Sequence, residues 1–519
     1  MIVASIYVTA GAILLGVPIA LFTSVFMARY CPKKIYRPLK SGIELMAGVP
    51  SIVYGFFGLI LIVPLIRQIF GGTGTSMLAA CVLLGMMILP TIIGVTESAI
   101  RSVPESYYEG SLALGATKER SIFFVMLPAA KSGILAAVVL GIGRAIGETM
   151  AVVMVAGNQP RMPEGIFKGV RTMTANIVTE MGYATGLHRE ALIATAVVLF
   201  VFILIINLSL SLLNRRQNMQ IDTVAAIDLP KGKKQNESSF SDQMKAYLKH
   251  PGSGVLALLT LLGAVLTFAL LFFLIGYILV KGVPYLSTDL FSLTYNSENL
   301  SLLPSLINTF ILTVVSLVIA APLGIFAAIY LVEYAKKGSK LVNVIRITAE
   351  TLSGIPSIVY GLFGMLFFVT ALHWGLSLLS GAFTLVIMIL PLIMRTAEEA
   401  LKSVPDSYRE ASFGLGAGKL RTIFTIVLPS AVPGILAGVI LAIGRVIGET
   451  AALIYTAGTV AEVPKNLMGS GRTLALHMYV LSGEGLHMNQ ASATAVVILA
   501  FVLVINFLSG AVAKRIAKG

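Results

Sequence analysis

One short sequence occurs twice in this chain, 301 positions apart, and each copy stands inside an apolar stretch. Residues 143–149 read Gly-Arg-Ala-Ile-Gly-Glu-Thr, and residues 444–450 read Gly-Arg-Val-Ile-Gly-Glu-Thr. An arginine inside a membrane-spanning helix costs about 3 kcal/mol or more, so intramembrane charge usually marks the path of a substrate or an ion. On a continuous helix, the glutamate four positions later lies on the same face as the arginine. A single copy would suit a structural ion pair, but two matching copies favour a shared polar site for a small anion.

The composition indicates a membrane protein. Of the 519 residues, 57% are hydrophobic and only 12% are charged, which is about half the charged fraction of a soluble domain. The net charge of +14 reflects basic cytoplasmic loops rather than nucleic-acid binding. Cys31 and Cys81 have neither ligand spacing nor repeat counterparts, so we expect neither a metal site nor a disulfide. The sequence predicts an all-α polytopic fold whose apolar spans lie near residues 1–28, 42–66, 77–100, 131–157, 191–213, 254–280, 305–333, 350–372, 377–400, 432–457 and 491–513.

The spans form two parallel repeats. The sequence Pro-Ser-Ile-Val-Tyr-Gly occurs at residues 50–55 and again at 356–361. We therefore expect a first domain of residues 1–213, a polar cytoplasmic linker of residues 214–253 and a second domain of residues 254–519. Pro18 aligns with Pro322, so the first half has no counterpart of the span at 254–280. Either the first half lacks its opening helix or the chain begins at an internal methionine, and we expect the second.

Two loops share a pattern that is too specific for a solvated connection. Most of the 38 Lys and Arg residues fall in alternate loops, which predicts that these loops are cytoplasmic. In two of them a short amphipathic helix carries Glu109 or Glu410, and Gly115 or Gly416 follows six residues later. The glycine can end the helix, and a second apolar run then continues to Leu-Pro. Such an element can lie along the membrane surface and dock into a groove on a partner protein.

These loops resemble the coupling loop of ABC-importer permeases. With the Pro-Ser-Ile-Val-Tyr-Gly and Gly-Arg-x-Ile-Gly-Glu-Thr motifs, the chain resembles the permease subunits of the phosphate-specific transport (Pst) family. The first half is similar to the C-type subunit and the second half to the A-type subunit, fused here in one chain. The resemblance implies a transmembrane permease of an ATP-driven, binding-protein-dependent importer of inorganic phosphate, located in the cell (plasma or inner) membrane.

The resemblance also implies the partners. Two copies of a cytosolic ATP-binding subunit would dock beneath the coupling loops, with Glu109, Gly115, Glu410 and Gly416 as coupling residues. An extracytoplasmic phosphate-binding protein would deliver the substrate, and the basic outer loops, including Arg171 and Arg472, are expected to meet it. The chain itself would need no cofactor and would be a transport subunit rather than an enzyme. Residues 414–419 read Gly-Leu-Gly-Ala-Gly-Lys, but the first glycine of a phosphate-binding loop is missing before them and Leu420 replaces the Ser or Thr after them. This agrees with ATP hydrolysis by a separate subunit.

The chemistry of phosphate suits the repeated motif. A guanidinium binds phosphate oxygens with two donors and stays charged when it is desolvated. We therefore predict that Arg144 and Arg445 hold the anion. Glu148 and Glu449 would position the arginines and recognise the protonated oxygen of the anion, or serve only as counter-ions.

Two other functions remain open from the sequence. The first is an ABC permease for another oxyanion, such as sulfate, molybdate or phosphonate. The second is a secondary transporter driven by an ion gradient, with Glu148 and Glu449 as proton carriers. The coupling loops favour an ABC permease, because a gradient-driven carrier has no use for a helix that docks onto an ATPase. His477, in an outer loop, is expected to be an ordinary interface residue.

Overall fold

The computed structural model describes residues 1–218, 250–336, 339–485 and 487–516. Within these ranges the protein is helical, apart from loops and one isolated bridge between Gly157 and Val170. The described part holds nine helices that are long and apolar enough to cross a membrane, or eleven spans if each of two bent helix pairs counts as one. The prediction of an all-α polytopic fold is confirmed. Most of the predicted linker, residues 219–249, lies outside the described residues.

The first half contains twelve helices. They are α1 (Ile2–Val25), α2 (Lys33–Gly48), α3 (Ser51–Phe57), α4 (Val63–Phe70), α5 (Met77–Ser102), α6 (Glu105–Ala113), α7 (Lys118–Ser121), α8 (Leu127–Ala129), α9 (Lys131–Gly147), α10 (Met150–Val155), α11 (Met173–Glu180) and α12 (Gly186–Asn218). Stretches with π-helical hydrogen bonding join several neighbours, such as Phe26–Tyr30 after α1 and Gly58–Ile62 between α3 and α4.

The second half repeats this order after one additional helix. Its helices are α13 (Pro251–Gly282), α14 (Leu303–Ile329), α15 (Lys340–Ser353), α16 (Ser357–Gly364), α17 (Leu378–Lys402), α18 (Asp406–Gly414), α19 (Lys419–Thr422), α20 (Leu428–Gly448), α21 (Ala451–Ile454), α22 (Leu474–Glu484) and α23 (Met488–Ile516). Here α14 corresponds to α1, and α13 precedes the part of the second half that aligns with residues 1–218.

Prolines and glycines set the helix breaks at equivalent places in both halves. The residue before a proline is disfavoured in the helical conformation, and Val49, which precedes Pro50, is extended and ends α2. The same break separates α15 from α16 at Pro356, where the chain bends by 102°. The predicted apolar spans near 42–66 and 350–372 are therefore each broken at the proline. Each consists of an amphipathic helix followed by a separate apolar helix.

The extra helix α13 packs against the first half. Thr267 and Thr23 of α1 share a hydrogen bond of 2.8 Å, and a β-carbon at Gly263 would stand 2.7 Å from Phe22. At its other end, Gly282 lies against Ser492 of α23 in the second half. This helix thus contacts both halves, although the sequence assigns it to the second domain.

The α14 surface that corresponds to the covered face of α1 is open. Leu323 and Phe326 stand where α1 has Ile19 and Phe22, and they are 54% and 59% exposed in the described chain. The two halves therefore differ in how the equivalent helices α1 and α14 are covered.

The two halves meet where the repeated motifs lie. A β-carbon at Gly147 would be 3.5 Å from Pro356, and one at Gly448 would be 3.3 Å from Pro50. The end of each motif-bearing helix thus contacts the proline break of the opposite half. Tyr455 strengthens this junction, because its hydroxyl donates to the Val178 carbonyl oxygen at 2.9 Å.

Candidate functional site: the paired arginine and glutamate motifs

The helix that carries each motif ends inside the motif. Helix α9 ends at Gly147, Glu148 is extended with ψ of 132°, and α10 begins at Met150. Helix α20 ends at Gly448, and Glu449 is extended with ψ of 130°. The expectation that arginine and glutamate share one face of a continuous helix is therefore wrong. The arginines lie in the last helical turn, where the helix dipole favours a cation.

The glutamates cap the short helices that follow. The Glu148 carboxylate accepts a hydrogen bond from the Ala151 amide at 3.2 Å. The Glu449 carboxylate, only 8% exposed, accepts from the Thr450 and Ala452 amides, both at 3.1 Å. Free amides at a helix N-terminus bind carboxylates well. These bonds hold the carboxylates at the start of α10 and α21.

The hydroxyl groups that follow the two prolines also reach the carboxylates. Ser51 interacts with Glu148, and Ser357 interacts with Glu449. In the described ranges no ion pair joins either glutamate to its arginine, although the charges still attract. The counter-ion and positioning roles of the glutamates therefore stay predictions.

The two arginines have different neighbours. Arg144 donates from Nη1 to the Thr91 hydroxyl oxygen at 2.8 Å. In the second half Leu392 occupies the position that corresponds to Thr91, and Arg445 makes no hydrogen bond to any described residue. Both side chains are half-buried. More donors are therefore available on Arg445 than on Arg144.

The two motifs lie close together at the junction of the halves. Glu148 and Glu449 are near enough for their charges to repel, and the glycine after each arginine packs on the opposite proline. The structure thus brings the four predicted site residues, Arg144, Glu148, Arg445 and Glu449, into one region. This region is where a substrate path between two halves would run.

A cleft lies between the C-terminal part of α5 and the start of α9. It has a volume of about 490 Å³ and is lined by Gly94, Val95, Ser98, Ala99, Ser102, Ala129, Ala130, Ser132 and Gly133. Val95, Ser98 and Ser102 share the helical face of Thr91. In the second half the positions of Gly94 and Ser98 carry Arg395 and Glu399, whose side chains pair at 3.2 Å.

The predicted coupling loops fold as short helices that end at a glycine turn. Gly115 after α6 has φ of 85°, and Gly416 after α18 has φ of 81°, a conformation that favours glycine. Just before these glycines, Leu114 and Leu415 are 91% and 90% exposed. Glu109 and Glu410 are exposed on the same helices and pair with no described residue. This geometry leaves an apolar tip and an acidic side chain free for a partner.

An ion pair ties each of these helices to the π-helical segment that follows α1 or α14, and its polarity is reversed between the halves. In the first half Arg29 pairs with Glu105 of α6 at 2.9 Å. In the second half Glu333, which aligns with Arg29, pairs with Arg409 of α18 at 2.8 Å. The second pair is the more buried one, since Glu333 is 9% exposed and Glu105 is 56% exposed.

Other repeated polar contacts were not singled out in the sequence. Glu97 of α5 accepts from Tyr36 at 2.6 Å and from Lys40 at 2.8 Å, which fastens α2 to α5. Glu398 of α17 likewise pairs with Arg346 of α15 at 2.6 Å. The repetition of a glutamate at positions 97 and 398 was a readable signal. Thr91 had no such signal, because its repeat counterpart is Leu392.

The structure corrects the expectation for two outer residues. Arg472 is only 4% exposed and His477 is fully buried, so neither presents a surface to a docking protein. Both lie beneath the loop that precedes α14, with Tyr295 stacked over the Arg472 guanidinium at 4.7 Å.

Known proteins with similar sequences are transport permeases. Over 563 aligned residues the chain is 27% identical to the phosphate transport system permease protein PstA homolog of Mycoplasma pneumoniae, and the alignment covers 97% of this chain and 85% of that protein. It is 42% identical over 212 residues to the probable ABC transporter permease protein YqgH of Bacillus subtilis, with 39% of this chain and 68% of that protein covered. It is 32% identical over 223 residues to the phosphate transport system permease protein PstC of Mesorhizobium japonicum, covering 39% and 68%.

The family match occurs once in each half. Residues 16–219 and residues 320–518 both match the binding-protein-dependent transport system inner membrane component. The predicted fusion of two permease units is confirmed, and one relative already spans nearly the whole chain. The chain belongs to the family of binding-protein-dependent transport system inner membrane components, as a multi-pass membrane transport subunit rather than an enzyme.

Proposed function

We propose that this chain forms the translocation pathway of an ATP-driven importer of inorganic phosphate. The observation that carries the proposal is that the two motifs lie together at the junction of the halves, with neither arginine ion-paired to its neighbouring glutamate in the described residues. Relatives named as phosphate transport permeases support the choice of ion.

The geometry leaves the arginines able to bind an anion. Because backbone amides hold Glu148 and Glu449, the carboxylates do not occupy the guanidinium donors. A phosphate ion would accept two hydrogen bonds from each guanidinium, a geometry that arginine is suited to provide. The carboxylates would then face the remaining P–OH group and repel a fully deprotonated oxyanion such as sulfate.

The path would continue into the cytoplasm along the first half. Thr91 bonds to Arg144 and lies on the same face of α5 as Ser98 and Ser102, whose hydroxyl groups in the cleft would replace part of the hydration of an anion. The matching wall of the second half carries the Arg395 and Glu399 pair, which supports an asymmetric exit.

The proposed domains and partners are those of a phosphate importer built from two permease units. Residues 1–213 and 254–519 would be two permease domains, joined by the linker 214–253. One ATP-binding subunit would dock beneath each coupling helix, with Leu114 and Leu415 inserted in its surface. An extracytoplasmic phosphate-binding protein would deliver the ion to the outer loops.

Uptake of labelled phosphate tests the proposal. Membrane vesicles would contain the chain with its ATP-binding subunit and binding protein, and Arg144→Gln and Arg445→Gln would be compared with the wild type. We expect each variant to lose roughly tenfold or more of the uptake, because a hydrogen bond to a charged group contributes about 1.5–3 kcal/mol. Arg67→Gln is the matched control, since Arg67 also lies in the last turn of a helix but is exposed. Wild-type uptake in both site variants would refute the proposal.

A second experiment tests the role of the glutamates. Glu148→Gln and Glu449→Gln keep the hydrogen-bonding shape but remove the charge that repels sulfate. We expect excess sulfate to inhibit phosphate uptake in these variants and not in the wild type. Intact uptake with intact sulfate rejection would reduce the glutamates to helix caps.

A further inference from the structure

Arg472 is a buried arginine that forms no ion pair within the described residues. It precedes Thr473, the capping residue of α22, and its side chain is covered by the loop that carries Tyr295. Its Nε and Nη2 atoms are buried and make no hydrogen bond within the described chain. These two atoms form the edge of a guanidinium that binds two oxygens of one oxyanion. The edge best suited to an oxyanion is therefore the part of Arg472 that lacks a partner.

His477 adds a buried imidazole to this cluster. Its Nδ1 and Nε2 atoms are both buried, and the ring interacts with the backbone carbonyl oxygen of Leu300. The ring lies edge-on to Tyr295, with ring centroids 6.2 Å apart, and it is close enough to feel the charge of Arg472. Tyr295 thus covers the face of the guanidinium. The edge on which an anion would bind is buried and has no hydrogen-bond partner in the described residues.

The first half shows what satisfies this arginine. The corresponding Arg171 pairs with Glu180 at 2.5 Å and donates to Asn176 at 3.3 Å and to the Asn158 carbonyl oxygen at 2.7 Å. A hydrogen bond from Tyr183, together with Arg171, holds the pKa of Glu180 below its usual range, so this partner is an anion at neutral pH. The second half has Leu481, His477 and Thr459 at the positions of Glu180, Asn176 and Asn158. The second half therefore keeps the arginine but has no carboxylate at the position of Glu180.

We infer that the edge of Arg472, with His477 beside it, binds a small inorganic oxyanion at the outer end of the second half. Under the proposed function, on which this choice of ion rests, the anion is phosphate that has entered from outside. A buried cation that lacks a partner destabilises the fold, and a bound anion removes that cost. Because Arg472 is 4% exposed, a small ion that enters past the Tyr295 side chain fits better than a carboxylate of a docked protein.

Direct phosphate binding to the purified full-length chain in lipid nanodiscs tests this inference. The measurement uses labelled inorganic phosphate without the binding protein, in an Arg144→Gln/Arg445→Gln background that removes the central site. We expect phosphate binding to persist in that background and to weaken about tenfold or more when Arg472→Gln is added. Leu481→Glu should weaken it similarly, because it installs the carboxylate that Glu180 supplies in the first half.

Two controls separate loss of the site from loss of the fold. Leu481→Met keeps an apolar side chain of similar volume and should leave binding unchanged. Arg171→Gln removes the paired arginine of the first half and should also leave it unchanged. Each variant is checked for a monodisperse elution profile before binding is measured.

Three results would overturn the inference. The first is loss of all phosphate binding in the Arg144→Gln/Arg445→Gln background while the wild type binds, which would leave the central site intact as a proposal. The second is binding in that background that survives both Arg472→Gln and Leu481→Glu. The third is unchanged phosphate binding but lost docking of the binding protein in Arg472→Gln, which would make a partner carboxylate the ligand. The proposed function itself fails only on the uptake experiment, so the two failures are distinguishable.

Discussion

The two halves of the protein share a backbone and differ in the partners of their charges. Both break a helix before Pro-Ser, both end the motif helix at the second glycine of the motif, and both turn the coupling loop at a glycine. Yet Arg144 has a threonine partner that Arg445 lacks, and Arg171 has a carboxylate that Arg472 lacks. The comparison teaches that residues which set backbone geometry are repeated, while side chains that balance charge have diverged.

The two ion pairs of opposite polarity are expected to give the largest difference in stability between the halves. Arg409→Ala leaves Glu333 buried without its cation, and breaking a buried pair costs about 3–5 kcal/mol. Glu105→Ala removes an exposed carboxylate, which typically costs up to about 1 kcal/mol, and Arg29 keeps its contact with the Tyr108 ring. Thermal unfolding of the purified chain should show a much larger loss of Tm for Arg409→Ala.

A double substitution sharpens this prediction. Glu333→Arg with Arg409→Glu gives the second half the polarity of the first half and should recover part of the lost stability. Equal Tm losses for Arg409→Ala and Glu105→Ala would contradict the view that burial separates the two pairs.

Exchange of Thr91 and Leu392 should change the substrate site by a smaller amount. Thr91→Leu removes the hydrogen bond to Arg144, and Leu392→Thr offers one to Arg445. A hydrogen bond to a charged group contributes about 1.5–3 kcal/mol, so we expect KM for phosphate to change roughly tenfold or more, in opposite directions for the two variants. Steady-state uptake measures both, and Thr91→Ser, which keeps the hydroxyl, is the control. A change in maximal rate with constant KM would argue against an effect on anion binding.

The smallest loss of stability is expected for a cation–π contact that both halves share. Lys118 lies over the Tyr30 ring at 4.2 Å, and Lys419 lies over the Tyr334 ring at 4.8 Å. Exposed cation–π contacts contribute about 0.5–1 kcal/mol, so Lys118→Met and Lys419→Met should lower stability slightly and to a similar extent. Thermal unfolding again gives the measurement. A loss confined to one half would show that this repeated contact is not equivalent in the two coupling loops.

The sequence predicted features that local chemistry controls. The repeat, the spans and the glycine turn of each coupling loop follow from apolar length, Pro-Ser and Gly at fixed positions. The end of α9 at Gly147 was missed, because a glycine also precedes Arg144 without ending the helix. Only the tertiary approach of Ser51 and the start of α10 make an extended Glu148 favourable.

Contacts between distant segments were beyond sequence reasoning. The hydrogen bond from Arg144 to Thr91 joins residues 53 positions apart, and neither local sequence predicts it. The burial of Arg472 depends on the loop carrying Tyr295, which is distant from Arg472 in the sequence. Charge spacing predicted an outer basic surface, whereas three-dimensional packing decided which cations are covered.

The contact of α13 with α1 bears on how the molecule assembles. A helix that belongs to one half by sequence but packs on the other would, in two separate chains, find its place only after the chains meet. Here α12 ends at Asn218 and α13 begins at Pro251, so the search occurs within one molecule and at a high effective concentration. Synthesis of both halves together also fixes their ratio at one to one. No unmatched copy of either half then competes for the Thr23 and Gly263 contact.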